Sequence, residues 1–204
     1  MSELPRAASI PAVFSDAVAD LARADLRREL HITKIPPPGK LAPFALALSA
    51  DVYATERNTR QHTPILPASE QLATGRFVLL YDPQPVELWE GNFRVVSYIR
   101  ASLDEDMGQD PLLASVAWSW LEEALEGRGA QYRAAGGTAT RVMNESFGNL
   151  AGRSDSIDIE LRASWTPTDQ MLGHHLSGWA DMVGTFAGLP PLPEGVQQLP
   201  RRLS

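Results

Sequence analysis

Strict alternation of apolar and polar residues near the end of the chain constrains its fold more than any other feature. From position 157 to 165 every second residue is apolar, and the residues between them are Asp158, Glu160, Arg162 and Ser164. Successive side chains of a strand point to opposite sides of its sheet. The segment therefore predicts an antiparallel strand with one buried and one solvated face.

Similar patterns predict the other elements. Asp110-Pro111 combines a capping side chain with proline at the first helical position and marks the start of one helix. Glu90-Gly91-Asn92 indicates a hairpin turn, and Gly136-Gly137 opens a second hairpin. The polar segment 54–75 reads as one long loop. Strands are predicted at 44–52, 76–81, 86–89, 93–103, 138–147 and 157–165, and helices at 11–30, 110–126 and 168–186.

Together these elements predict one α+β domain over residues 1–204, with an extended proline-rich tail from about 189. Hairpins dominate and no strand–helix–strand alternation occurs, so we expect a mainly antiparallel sheet of five to six strands with about three helices on one face. The helix at 110–126 has apolar residues around most of its circumference, Trp118 included. We expect it to lie centrally between the other two.

Composition narrows the possible chemistry. The chain has no cysteine and four histidines, which excludes disulfides, thiolate zinc sites and cysteine nucleophiles. A formal net charge of −7 disfavours broad contact with nucleic-acid backbones. The N-terminus lacks the apolar region of a signal peptide, and no apolar run is long enough for a membrane span. We expect a soluble cytoplasmic protein without membrane contact.

No local cluster has the geometry of a metal or hydrolytic site. His174, Ser177 and Asp181 share a helix face, but a triad needs the imidazole between the other two groups. Adjacent His174 and His175 point about 100° apart and cannot chelate one ion. Asp104-Glu105-Asp106 lacks the ligand and glycine spacing of an EF-hand. The sequence predicts no metal and no cofactor, with His175 at the edge of the core and His174 exposed.

The solvated face of the sheet holds the main candidate binding residues. Arginine forks there suit a carboxylate, a phosphate or a partner peptide. Cross-strand ion pairing on a solvated sheet is the alternative. Trp89, beside the first turn, serves either as a binding anchor or as a cover over the hairpin. The candidates for this face are Arg94, Tyr98, Arg100, Arg141 or Glu145, Glu160 and Arg162.

Several strings along the chain carry a family resemblance. They include Trp89-Glu90-Gly91-Asn92-Phe93-Arg94, Ser146-Phe147-Gly148 and Arg162-Ala163-Ser164-Trp165-Thr166-Pro167. With three others in order, they make the chain similar to an actinobacterial family catalogued as domain of unknown function three thousand. The resemblance implies no activity, cofactor or catalytic residue. It does bring an association with a ribonuclease D-like exonuclease, whose gene often lies beside those of the family.

Three functions are compatible with these observations. The first is a non-catalytic interaction or regulatory module that binds a protein partner, or a second copy of itself, through the open sheet face. The second is an accessory factor in RNA metabolism that binds RNA or a nuclease through Arg57, Arg60, Arg94 and Arg100. The third is an enzyme on a small anionic substrate, with Arg141 as anion clamp and Glu145 or His174 as acid or base. The absence of a recognisable nucleophile or metal set favours the first.

Overall fold

The computed structural model describes residues 10–39, 41–54, 71–103, 108, 110–151 and 156–190. In these ranges the chain forms six strands and three helices of at least ten residues, which we number in chain order. The helices are α1 (Ala12–Leu21), α2 (Leu113–Gly127) and α3 (Leu172–Phe186). The strands are β1 (His31–Ile35), β2 (Phe44–Tyr53), β3 (Gln71–Val86), β4 (Gly91–Leu103), β5 (Tyr132–Asn144) and β6 (Ser156–Pro167).

The six strands form one sheet in the order β1-β2-β3-β4-β6-β5, and every neighbouring pair is antiparallel. The predicted α+β class with a mainly antiparallel sheet is confirmed. The alternation on β6 also has its predicted consequence, since Ile157, Ile159, Leu161, Ala163 and Trp165 are all buried.

Helix α3 lies at the centre of the helical layer. It contacts α1, α2 and strands β2, β3 and β4. The Trp179 ring of this helix packs against the ring of Phe77 on β3, and the Phe77 ring also packs against Trp165 of β6. The expectation that the tryptophan-bearing helix α2 is central was wrong. Trp118 of α2 lies over Gly137 of the edge strand β5, so α2 covers one margin of the sheet.

The first helix is shorter than predicted. It ends at Leu21, and residues 22–30 form turns although their apolar spacing resembles a helix. Arg27, in this segment, is only 6% exposed and donates to the carbonyl oxygen of Pro190. Strand β1 follows directly and was not predicted, because its sequence precedes a proline run and its residues are mostly exposed. Tertiary pairing with β2 decides its conformation.

Two predicted boundaries also differ in the sheet. Strand β3 begins at Gln71, inside the segment read as a loop, and continues through Asp82-Pro83 to Val86. The predicted hairpin of β5 and β6 is confirmed, but β5 begins at Tyr132, so Gly136-Gly137 lies within the strand and not ahead of it. The turn at Glu90 is confirmed, with Glu90 in the left-handed region at φ 56°. Within the described residues, no helix is both long and apolar enough to cross a bilayer.

Candidate functional site

The helices cover one face of the sheet, and we call the opposite side the open face. Strand register aligns its residues in rows perpendicular to the strands, because paired residues of neighbouring strands point to the same side. One row is apolar or small across all six strands. Its members are Ile35, Ala47, Val78, Val96, Ser164 and Gly136.

The β1–β2 end of this row is already covered, and Val78 of β3 beside it is only 8% exposed at the margin of the hollow. Ala47 and Val78 form a small hydrophobic cluster with Leu80, and Ala42 and Trp89 pack against it. Trp89 is therefore folded back over the hairpin, as one of its two predicted roles required. Its carbonyl oxygen also accepts a hydrogen bond from the hydroxyl of Thr166 on β6, which fixes the turn against the sheet.

The rest of the row is the floor of a hollow of about 460 Å³. Val78, Val96, Ser164 and Gly136 lie along this floor, and Gly136 adds no side chain to fill it. A Cβ atom at Gly136 would find no other atom within 4 Å. The volume falls within the range of about 300–1,000 Å³ that is typical of small-ligand pockets.

The next row of residues forms one wall of the hollow. Arg76 pairs in register with Tyr98, and Tyr98 with Arg162. The Arg162 guanidinium carbon lies 5.4 Å from the centre of the Tyr98 ring, a cation–π distance. Glu160 accepts hydrogen bonds from the Tyr98 hydroxyl at 3.1 Å and from Arg162 at 2.6 Å. Burial and the bond to Glu160 both raise the pKa of Tyr98, so this phenol stays a neutral donor.

Arg94 supplies a third guanidinium on the far side of Ser164. It donates to the Ser164 hydroxyl at 2.6 Å, the Thr166 hydroxyl at 3.1 Å and the carbonyl oxygen of Ala134 at 2.9 Å. All three acceptors are neutral, so the charge of Arg94 is hydrogen-bonded without being neutralised. Burial lowers its pKa, and the nearby carboxylate of Glu90 opposes that effect.

Arg100 lies on the open face but is occupied by an ion pair. Its guanidinium donates to Asp158 at 2.6 Å, and Asp158 also accepts from Ser102 at 2.7 Å and Asn144 at 3.2 Å. Burial of Asp158 acts to raise its pKa, but these donors outweigh it and the pKa is lowered. This cluster fits the cross-strand ion pairing considered as the alternative for the face.

The residues named for an enzymatic site do not converge. Arg141 pairs in register with Ile159, which places it on the helical side, where it donates to the carbonyl oxygen of Asp110 before α2. The expectation that Arg141 shares the open face was wrong. His174 lies beside Gly129, after the other end of α2. The 15 residues of α2 span about 22 Å, so Arg141 and His174 lie near opposite ends of this helix. Glu145 follows the last residue of β5 and is exposed.

The polar face of α3 has a structural role. Asp181 accepts hydrogen bonds from Arg128, which also pairs with Asp25 and so joins the ends of α2 and α1 to α3. These carboxylates raise the pKa of Arg128 against the effect of its burial. The described residues contain no His, Asp and Glu group that could hold a metal ion. Arg57, Arg60 and the acidic segment 104–106 lie outside the described residues.

Sequence reasoning found Arg94, Tyr98 and Arg162 but missed Arg76. In the sequence Arg76 only marks the start of a short strand, and its position beside Tyr98 depends on the β3–β4 register. The residues after it, from Phe77 to Tyr81, are all apolar and buried, so the sequence of β3 gives no alternation that would assign Arg76 to a face. The gap at Gly136 has no signal of its own, because a glycine pair also suits a turn.

Comparison with known proteins gives a family match. A family model described as "Protein of unknown function (DUF3000)" matches residues 10–197, which is most of the chain and includes every strand and helix described above. No curated protein and no solved structure matches the chain. The geometry of the open face is therefore the main basis for inferring a role.

Proposed function

The chain belongs to the DUF3000 family, and from this premise we propose that the protein is a non-catalytic binding module whose open sheet face engages an anionic partner. One observation carries the proposal. Arg76 and Arg162 line a hollow with an apolar floor, on the face of the sheet that the helices leave uncovered, and Arg94 donates to Ser164 on that floor. No carboxylate of the described residues lines this hollow.

The charge around the hollow is a local departure from the rest of the chain, which has a formal net charge of −7. Arg76 is exposed and forms no ion pair among the described residues. An unpaired guanidinium beside apolar surface is suited to carboxylates or phosphates, because its planar fork donates two parallel hydrogen bonds. A local basic site on an acidic protein also favours selective over general attraction of anions.

Affinity capture under native conditions tests this proposal with three forms of the full chain. They are the wild type, the Arg76→Glu variant and a control variant, Arg23→Glu. Arg23 is a matched control because its side chain is 74% exposed in the turn that follows α1, away from the open face, and its contact with Asp20 is a long 3.4 Å. Bound proteins and small molecules are identified by mass spectrometry, after circular dichroism has shown that both variants fold.

We expect a species that the wild type and Arg23→Glu retain and Arg76→Glu loses. Reversing one charge at a contact with an anion replaces attraction by repulsion, and like-charge contacts cost several kcal/mol. Equal retention by all three forms, or no retained species, would show that the open face is not the binding surface.

A further inference from the structure

We propose that the hollow on the open face binds a small amphipathic organic acid, with its carboxylate on Arg76 and Arg162 and its apolar body on Val78 and Val96. This inference rests on the proposed function and names the class of ligand that the face takes. Its basis is the arrangement of charge and apolar surface within one hollow, which neither a purely ionic nor a purely apolar ligand would satisfy.

The headgroup position follows from the wall of the hollow. Arg76 and Arg162 lie on either side of Tyr98 in one row, one strand spacing from it on each side. Arg162 uses part of its fork on Glu160, and its side chain is still 54% exposed. The guanidinium of Arg76 forms no ion pair with any described residue. A carboxylate between them accepts from both, as paired guanidinium groups favour.

The body of the ligand follows from the floor. Val78, Val96, Ser164 and Gly136 follow one another across β3, β4, β6 and β5. Three strand spacings of about 4.8 Å give a floor about 14 Å long. Its side chains are small or branched, so the floor is shallow and offers an apolar chain or ring continuous contact. The β5 end is open because Gly136 has no side chain.

The size of the hollow argues against a macromolecular occupant as its first ligand. A specific protein interface buries about 800 Å² on each partner, whereas this site is a single depression of about 460 Å³ between four strands. The apolar row does not extend the site toward β1, because Ala42 and Trp89 already cover that end. One small molecule fills the space that remains.

Isothermal titration calorimetry on the full chain tests the ligand class with three probes. Octanoate has both the carboxylate and the apolar body, 1-octanol has the body without the charge, and acetate has the charge without the body. We expect octanoate to bind with a Kd of about 0.1–1 mM, in line with the affinity per atom of small ligands. We expect the other two to bind at least about tenfold more weakly.

Two variants locate the site. Gly136→Leu places a side chain into the hollow without meeting another atom at its Cβ, and Gly127→Leu is its control because Gly127 at the end of α2 has equally free space. Arg76→Gln removes the headgroup contact, with Arg23→Gln as control. We expect each of the two variants to weaken octanoate binding at least about tenfold, Gly136→Leu because its side chain occupies the space of the ligand and Arg76→Gln because it removes a charge-assisted hydrogen bond. Both controls should bind like the wild type.

The proposal is overturned if octanol binds as tightly as octanoate, if Gly136→Leu binds like the wild type, or if octanoate does not bind. Failure of the ligand proposal can be distinguished from failure of the proposed function. If octanoate fails but capture of a partner still depends on Arg76, the open face binds an anion of another class, such as an acidic peptide. If both experiments fail, the open face is not a binding surface.

Discussion

At the scale of single residues, burial of His175 makes the stability of the protein depend on pH. The His175 side chain is fully buried, and its Nδ1 accepts a hydrogen bond from Trp165 Nε1 at 3.1 Å. The bond requires a neutral imidazole with its proton on Nε2. Loss of solvent contact lowers the pKa of His175 from 6.5 to about 4, although Asp169 acts in the opposite direction.

The lowered pKa predicts that the protein loses stability as the pH falls from about 6.5 to 4. In this window the unfolded chain binds a proton at His175 and the folded protein does not, so protonation favours unfolding. The full effect is up to about 3 kcal/mol, since one pKa unit corresponds to about 1.4 kcal/mol. Urea denaturation at a series of pH values measures it.

The matched variant is His175→Gln, because its amide oxygen can still accept from Trp165 but does not titrate. We expect a flatter dependence of the unfolding free energy on pH above 4 for this variant. Equal slopes for the two proteins would mean that His175 does not cause the effect.

At the scale of elements, the close contact between α2 and α3 requires a glycine. A Cβ atom at Gly178 of α3 would lie 2.8 Å from the carbonyl oxygen of Ala124 and 3.0 Å from the Cα of Leu125. Both atoms belong to the α2 backbone, which cannot move aside as a flexible side chain can. Glycine therefore allows α3 to pack tightly against α2 in its central position.

This contact predicts that Gly178→Ala destabilises the protein by about 1–3 kcal/mol, the usual cost of overpacking. Alanine improves helix propensity by about 1 kcal/mol, but the backbone clash outweighs that gain. Gly127→Ala is the control, since a Cβ there meets nothing within 4 Å. Chemical denaturation should show the control unchanged or slightly more stable. A Gly178→Ala protein at least as stable as the wild type would contradict the tight crossing.

At the scale of the whole molecule, one main core joins the sheet to all three helices. Leu21 of α1, Leu121 of α2 and Trp179 of α3 belong to the same cluster as Phe77 and Trp165 of the sheet. The central helix is the shared neighbour of the other two. The described elements therefore form one structural unit with an open face on the other side of the sheet.

A shared core predicts that the chain unfolds in one cooperative transition. Loss of helix would remove the cover of Trp165 and Trp179 at the same time, so far-ultraviolet circular dichroism and tryptophan fluorescence should change together on thermal or urea denaturation. Separate midpoints for the two signals would show that the helical layer detaches before the sheet unfolds.

For β4 and β6, the sequence correctly predicted on which side of the sheet each residue lies. It did not predict the register that brings residues of different strands together. Alternation on β4 and β6 correctly put Arg94, Tyr98 and Arg162 opposite the core, because that property is local to each strand. Arg141 was misassigned, since the bulge between Arg133 and Gly136 changes the register of β5 against β6. Gly136-Gly137 was predicted to open the second hairpin and lies instead within β5, so the gap that Gly136 leaves in the open face was not predicted.

Sequence alone determined the α+β class, the antiparallel sheet, the helical layer on one side and the charged residues of β4 and β6 on the other side, since periodicity and turn chemistry act within a few residues. Only the tertiary structure decided which helix is central, that β1 exists, and that Arg76 joins Arg162 beside an apolar hollow. These features depend on strand register and on the distance at which backbones approach, and both are set by packing between segments far apart in the chain.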